Sequence, residues 1–333
     1  MAKKRRVALI ITGGTIDSVG TDRLDLAWYI EAGKRLESGE LVEAVPELSE
    51  VAEVREIPFR RLPSQAIKPS DWIELAATIQ QTLESDEADG VVITHGTNTL
   101  EETAYFLNLV LHVDRPVVVV GAMRPSSGLS ADGYLNLLNA VRVASDAGSA
   151  GNGVLVVLND TIHGARDVTK TATYRLETFQ GRDLGPLGYA DADGRVVFYH
   201  RPAKRHTTSS AFDWSTLGDL PRVDVIVSYV GSDAAFVDAA VAAGARGIVS
   251  AGTGAGRPTP EEDAALLRAQ EQGVVICQSS RVGSGRAVRS PGLRKRGWVA
   301  SDNLQPWKAK VLLALALTQT TDPDEIQEII DTH

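Results

Sequence analysis

The chain has almost no cysteine. Cys277 stands alone among 333 residues, which excludes an internal disulfide framework and a cysteine-based metal cage. Its setting in "VVICQ" predicts a buried core residue. The six histidines show no HxH or HxxxH spacing, so no histidine metal site is signalled, and neither metal nor other cofactor is expected. Positive charge is also scarce: 34 Lys and Arg against 43 Asp and Glu leave a net charge of -9. A dedicated nucleic-acid binder needs a basic face for the phosphates, and that class is set aside. No apolar run reaches the roughly 18 residues that signal a membrane helix. The N-terminal "MAKKRRVALIITGG" starts positively, but its apolar run breaks at Thr12 and two glycines, without the cleavage site of a secretory signal. A soluble, cytoplasmic protein is the expectation. No GxGxxG follows the first strand-like run, which removes the usual sign of a dinucleotide-dependent dehydrogenase.

What is present is ample apolar content, 43% of residues, on a chain long enough for two domains. β-Branched runs recur as "RVALIIT" ending at Thr12, "VVIT" at 91–94, "VVVV" at 117–120 and "VLVVLN" at 154–159. Between them, "DWIELAATIQQTLES" and "TLEETAYFLNLVLHV" carry apolar residues at helical spacing. Fully apolar strands alternating with amphipathic helices predict an α/β fold with mostly parallel sheets covered on both faces. The alternation lapses after about residue 185, where "GPLGYADADGRVVFYHRPAKRHTTSS" reads as a hairpin and a polar linker. It resumes with "VDVIVSYV" at 223–230, "GIVSAG" at 247–252 and "VVICQSS" at 274–280. The expected organisation is a larger N-terminal catalytic domain over 1–200, a linker over 201–221 and a smaller C-terminal α/β domain over 222–333.

Ligands of open parallel sheets bind beyond the carboxyl ends of the strands. Four such ends carry glycines and hydroxyls: "TGGT" at 12–15, "THGTNT" at 94–99, "GAMRPSSG" at 121–128 and "NDTIHGARDVTK" at 159–170. One shared pocket accounts for all four. The glycines of the first let the chain turn sharply and leave Thr15 as an exposed hydroxyl, although a structural turn with a capping threonine fits that motif equally well. Thr99 with Glu102 fits a capping box, which leaves Thr97 free to point into the pocket. Lys170 ends a strand-loop rich in acids and hydroxyls. A lysine beside a threonine can act as its base when burial or cationic neighbours lower its pKa. Two threonines, a lysine and oriented backbone N–H groups make an acyl-transfer set.

"TGGTI", "THGTNTLEETAYFL", "VVGAMRPSSGLSADG" and "LNDTIHGARDVTKT" closely resemble the bacterial L-asparaginases of the homotetrameric two-domain type. The resemblance continues through "GPLGY", "GIVSAG", "SSRV" and "LALTQT". It implies hydrolysis of a side-chain carboxamide, L-asparagine to L-aspartate and ammonia by default, through a threonine acyl-enzyme. It also implies a dimer of dimers with sites at the subunit interface. By the same resemblance Thr15 is the nucleophile and Tyr29 its mobile-loop partner, while Thr97 and Lys170 are the second hydroxyl and its base. Ser64 and Gln65 in "LPSQA" match positions that contact the substrate carboxylate and backbone, Gly96 and Asn98 belong to the same binding set, and Ala122 supplies a carbonyl facing the substrate amide.

Four departures stand out. "RLDLAWYIEAG" around Tyr29 differs in length and sequence from the usual loop. "HGTNT" puts Asn98 where the family has an aspartate that pairs with the substrate α-ammonium. "GRAVRSPGLRKRG" contains no acid where the family has a partner-subunit carboxylate, and Arg257 in "GTGAGR" replaces a neutral side chain that reaches over from the partner. The last three, each toward neutral or positive charge around the place of the substrate ammonium, point to a competing substrate, a related amide lacking a free α-ammonium. A different class of function, a non-catalytic binding or regulatory protein on the same scaffold, is the alternative.

Overall fold

The computed structural model describes residues 4–333. They fall into two compact units that divide between Ser209 and Ser210.

Valine-rich runs build the first unit. Among its described residues the strands are β1 (Arg6–Ile11), β2 (Ser18–Val19), β3 (Lys34–Arg35), β4 (Glu53–Ile57), β5 (Gly90–Thr94), β6 (Val117–Val120), β7 (Val154–Leu158), β8 (Thr161–Gly164), β9 (Val168–Lys170), β10 (Phe179–Gly181), β11 (Gly188–Ala190) and β12 (Val196–Phe198). Eight form one sheet in the order β12-β11-β8-β7-β6-β5-β1-β4. The stretch from β4 to β7 is parallel, and β8, β11 and β12 extend it antiparallel. Alternate residues of the central strands, such as Leu9, Val92, Val118 and Leu155, share a cluster with Leu137, Ala140 and Val141 of the helix Gly133–Ser145. The residues between them, such as Ile10, Ile93, Val119 and Val156, are equally buried. That is why these strands read as unbroken apolar runs. The helices Pro69–Glu84 and Leu100–Val110 pack together and touch β5 and β7.

The 159–170 stretch is not a loop. Asn159 and Asp160, at φ 51° and 60°, make a two-residue turn that sends β8 back along β7, a conformation Asn and Asp tolerate. β9 follows and pairs with β10 as a separate ribbon, so Lys170 sits on a strand. The hairpin expected after residue 185 is β11–β12. Thr99 is the N-cap of Leu100–Val110 by position only, because its side chain makes no cap bond. Its hydroxyl donates instead to the Ser64 carbonyl at 2.8 Å, a tertiary bond that wins over the local capping pattern.

The second unit holds a four-stranded parallel sheet of β13 (Val223–Val227), β14 (Gly247–Gly252), β15 (Val275–Ser280) and β16 (Val299–Ala300) in sequence order. Its core gathers Val237, Ile248, Leu266, Ile276 and Trp298. Cys277 is fully buried on β15, where desolvation pushes its thiol up to about 12. Among the described residues no helix is long and apolar enough to cross a membrane.

Candidate active site

Glycines at the strand ends of the first unit set how closely the site loops approach. Gly13 and Gly14, just past β1, have φ of 96° and 121°, values that an L side chain rarely adopts. A Cβ at Gly14 would lie 2.7 Å from the Gly96 Cα, and one at Gly96 would lie 2.7 Å from Ser64 Oγ. A Cβ at Gly121 would stand 3.0 Å from Thr97 Cγ2. The Thr15 turn therefore packs backbone against backbone on Gly96, and the Ser64 and Thr97 side chains lie directly on Gly96 and Gly121. Ala122 is buried beside this floor. Asp132 accepts from the N–H groups of Met123 and Arg124 at 2.9 Å each, which fixes the turn after Ala122.

Two hydroxyl pairs stand on that floor. Thr15 Oγ1 and Tyr29 Oη are 2.8 Å apart. Tyr29 opens a single helical turn, and only 8% of its surface is exposed. Asp25 holds the approach to it by accepting from the Thr21 and Trp28 N–H groups at 3.0 Å. Burial raises the Tyr29 phenol pKa while the Thr15 bond lowers it, and burial prevails.

In the second pair Lys170 Nζ donates to Thr97 Oγ1 at 2.8 Å. Thr97 is buried and Lys170 half-buried. Desolvation lowers the Lys170 pKa, and the charge on Glu101 opposes it. Lys170 Nζ also approaches Asn98 Oδ1 at 3.4 Å, and Asn98 Nδ2 approaches Gln65 Oε1 at 3.4 Å. Asn98 and Gln65 are exposed, Ser64 buried. Thr97, Lys170, Asn98 and Gln65 are thus joined by direct contacts and Thr15 to Tyr29 by another, while Gly96 lies against both the Thr15 turn and Ser64 and Ala122 is the residue after Gly121. Arg257 lies in the second unit, exposed, with its backbone bridged to Thr253.

Sequence reasoning passed over Glu101. Its side chain is 5% exposed, and Oε1 accepts the Lys170 backbone N–H at 3.0 Å. The signal was there: Glu101, Tyr105 and Asn108 follow helical spacing on a helix whose residues are nearly all buried, and an acid on such a face needs a partner. The basic stretch at 285–297 is also better defined than its composition suggested. Arg286 pairs with Asp302, Arg289 with Asp324 and Arg296 with Asp263, all within the second unit. Those three cations are committed to acids of their own unit.

Comparison with known proteins covers nearly the whole chain. Residues 6–204 match the family described as Asparaginase, N-terminal, and residues 222–330 the Glutaminase/Asparaginase C-terminal domain. The chain belongs to the asparaginase family. Among asparaginase relatives, L-asparaginase 2 of Escherichia coli (strain K12) is 44% identical over 329 residues, covering 98% of this chain and 93% of its own. Glutaminase-asparaginase of Pseudomonas fluorescens biotype A is 41% identical over 331 residues, covering 98% and 90%. The crystal structure of a probable cytoplasmic L-asparaginase from Campylobacter jejuni superposes with a TM-score of 0.89 at 39% identity, covering 99% of this chain and all of that one.

Proposed function

We propose that the protein is an asparaginase-type amidohydrolase in which Thr15 attacks a side-chain carboxamide, ammonia leaves, and water releases the acyl-threonine. The observation that carries this is the pairing of two hydroxyls, each with its own proton partner at 2.8 Å, above a glycine floor. Binding alone needs no such pairing. Tyr29 assists proton transfer at Thr15. Lys170, with its pKa lowered by burial, draws the proton from Thr97 as general base. Backbone N–H groups of the Gly13–Thr15 turn hold the oxyanion, each donor of this kind contributing about 3–4 kcal/mol. Ser64 and Gln65 orient the substrate. The test is ammonia release from a panel of small amides with Thr15→Ala as the blank, and turnover by that variant at the native rate overturns the assignment.

L-Asparagine is the default substrate. A second reading, an amide without a free α-ammonium, is favoured by the neutral Asn98, whose amide faces Gln65 and Lys170. A carboxylate makes a charge-assisted bond to an ammonium, about twice as strong as the neutral bond an amide oxygen offers, so a substrate ammonium facing only Asn98 is held less well. Relatives named L-asparaginase and glutaminase-asparaginase are nearly equally similar to this chain, so identity alone does not separate the two amino-acid amides. We place the protein in the cytoplasm, as its Campylobacter jejuni relative is described, and as a homotetramer, with Arg257 facing a partner's site. Cell fractionation and sedimentation test these two statements.

A further inference from the structure

Behind the Thr15 turn lies a charged cluster that none of these steps uses. Asp17 closes the short turn Thr15–Asp17 and is 1% exposed. Neither of its carboxylate oxygens has a hydrogen-bond partner among the described residues. Two guanidinium groups flank it, Arg35 Nη1 at 3.6 Å and Arg61 Nη1 at 3.9 Å. Burying a carboxylate on ion pairs this wide is costly, and ordinary packing does not call for it.

Each charge comes from a stretch that bears a site residue. Arg35 follows Tyr29 on β3, where it pairs with Ser18. Its guanidinium also lies against the glycine turn, since a Cβ at Gly13 would run into Nη1. Arg61 precedes Ser64 and Gln65, and it donates to the Leu36 carbonyl. Leu36 N–H in turn donates to the Asp17 carbonyl at 2.8 Å, and Leu62 N–H donates to the Thr12 carbonyl at 2.9 Å. The 12–17 turn, the 29–36 segment and the 61–65 segment therefore meet at one carboxylate.

We propose that Asp17, Arg35 and Arg61 form a positioning cluster that holds the Tyr29 segment on the Thr15 turn and keeps the Thr15–Tyr29 hydrogen bond made. The proposal rests on Thr15 acting as nucleophile with Tyr29 as its partner. None of the three touches reacting atoms; they act as positioning residues, and the Tyr29→Phe arm of the test isolates the part of their effect that passes through Tyr29. Burial pushes the Asp17 carboxyl up, and Arg35 and then Arg61 pull it back. In Arg35→Met the Arg61 guanidinium still faces the carboxylate at 3.9 Å, which favours a folded variant.

The experiment is a double-mutant cycle on kcat and KM for ammonia release from the preferred amide. Asp17→Asn and Arg35→Met are made alone and with Tyr29→Phe, and Arg35→Lys and Thr15→Ala are added. Unfolding midpoints check each fold. Asp17→Asn or Arg35→Met is expected to lower kcat about tenfold with little change in KM, and to cost less than about twofold once Tyr29 is phenylalanine. Arg35→Lys is expected to restore most of the loss. Losses that multiply fully with Tyr29→Phe, or native kcat in both single variants, overturn the proposal. A Thr15→Ala protein that still turns over instead brings down the catalytic reading on which the proposal rests. If Asp17→Asn does not fold, the Arg35→Met cycle decides by itself.

Discussion

The two hydroxyl pairs of the site are built in opposite ways. Thr97 and Lys170 project from the end of β5 and from β9, and Glu101 ties the Lys170 backbone to a buried helix. Thr15 sits on an equally rigid glycine turn, but its partner Tyr29 arrives on a single helical turn whose neighbours Leu24, Trp28 and Ile30 all face outward. One half is organised by the core, the other by contacts along a surface segment. Electrostatics separate them too. Lys170 brings a cation whose charge burial disfavours, whereas Thr15 and Tyr29 form a neutral pair. One site thus combines a pair fixed by the core with a pair whose second member rides on a surface segment.

Breaking either hydroxyl should have the largest effect. Thr15→Ala and Thr97→Ala are each expected to lower kcat by about a thousandfold or more, as residues of a concerted set do, while leaving the unfolding midpoint near native. Steady-state ammonia release and thermal unfolding measure both quantities. Lys170→Met should come next, with a loss of about a hundredfold to ten-thousandfold at neutral pH, the range of general-base contributions. Substantial activity in that variant would mean that another group takes the Thr97 proton.

Substrate choice sharpens the comparison at Asn98. Asn98→Asp is expected to improve kcat/KM for L-asparagine and to penalise succinamate, the same amide without the amino group. The change should amount to about tenfold or more, since 1.4 kcal/mol is a factor of ten. A native enzyme that already prefers L-asparagine by a hundredfold would show that charge at this position does not govern selection.

The smallest expected effect is a pair of opposite pH shifts. The base works when Lys170 is neutral, so activity rises as pH passes its pKa. Glu101 raises that pKa. Glu101→Gln keeps an acceptor for the Lys170 N–H but removes the charge, so the acid limb of the kcat profile should move to lower pH. Asn98→Asp adds an anion beside the ammonium and should move the same limb upward. Shifts in the same direction, or none, would uncouple Lys170 from both neighbours.

Much of this frame was legible in the residues. "VVVV" and "GIVSAG" coincide with β6 and β14 because a strand buried on both faces needs an unbroken apolar run. The glycine and hydroxyl clusters after β1, β5 and β6 pointed to one region because parallel strands end on one side of the sheet. The parts that escaped depend on partners far apart in the chain. β9 is too short to show periodicity, and it owes its strand geometry to β10. Thr99 and Glu102 matched a capping box, yet the Ser64 carbonyl claims the hydroxyl. Asp17 is a lone acid in "TGGTID", and nothing local says that Arg35 and Arg61 face it. Glu101 could have been found, because helical spacing alone puts it on a buried face.

Trp28 gives the nucleophile half of the site an optical handle. It is the residue before Tyr29 and is 69% exposed, whereas Trp72 and Trp298 are buried and Trp214 and Trp307 half-buried. An aqueous collisional quencher therefore reaches the Trp28 indole ahead of the other four. Any displacement of Tyr29 from Thr15 carries this indole with it through one peptide bond. Quenching of native emission, with Trp28→Phe as the reference, thus isolates the signal of the residue next to Tyr29, without labelling the protein or turning over substrate.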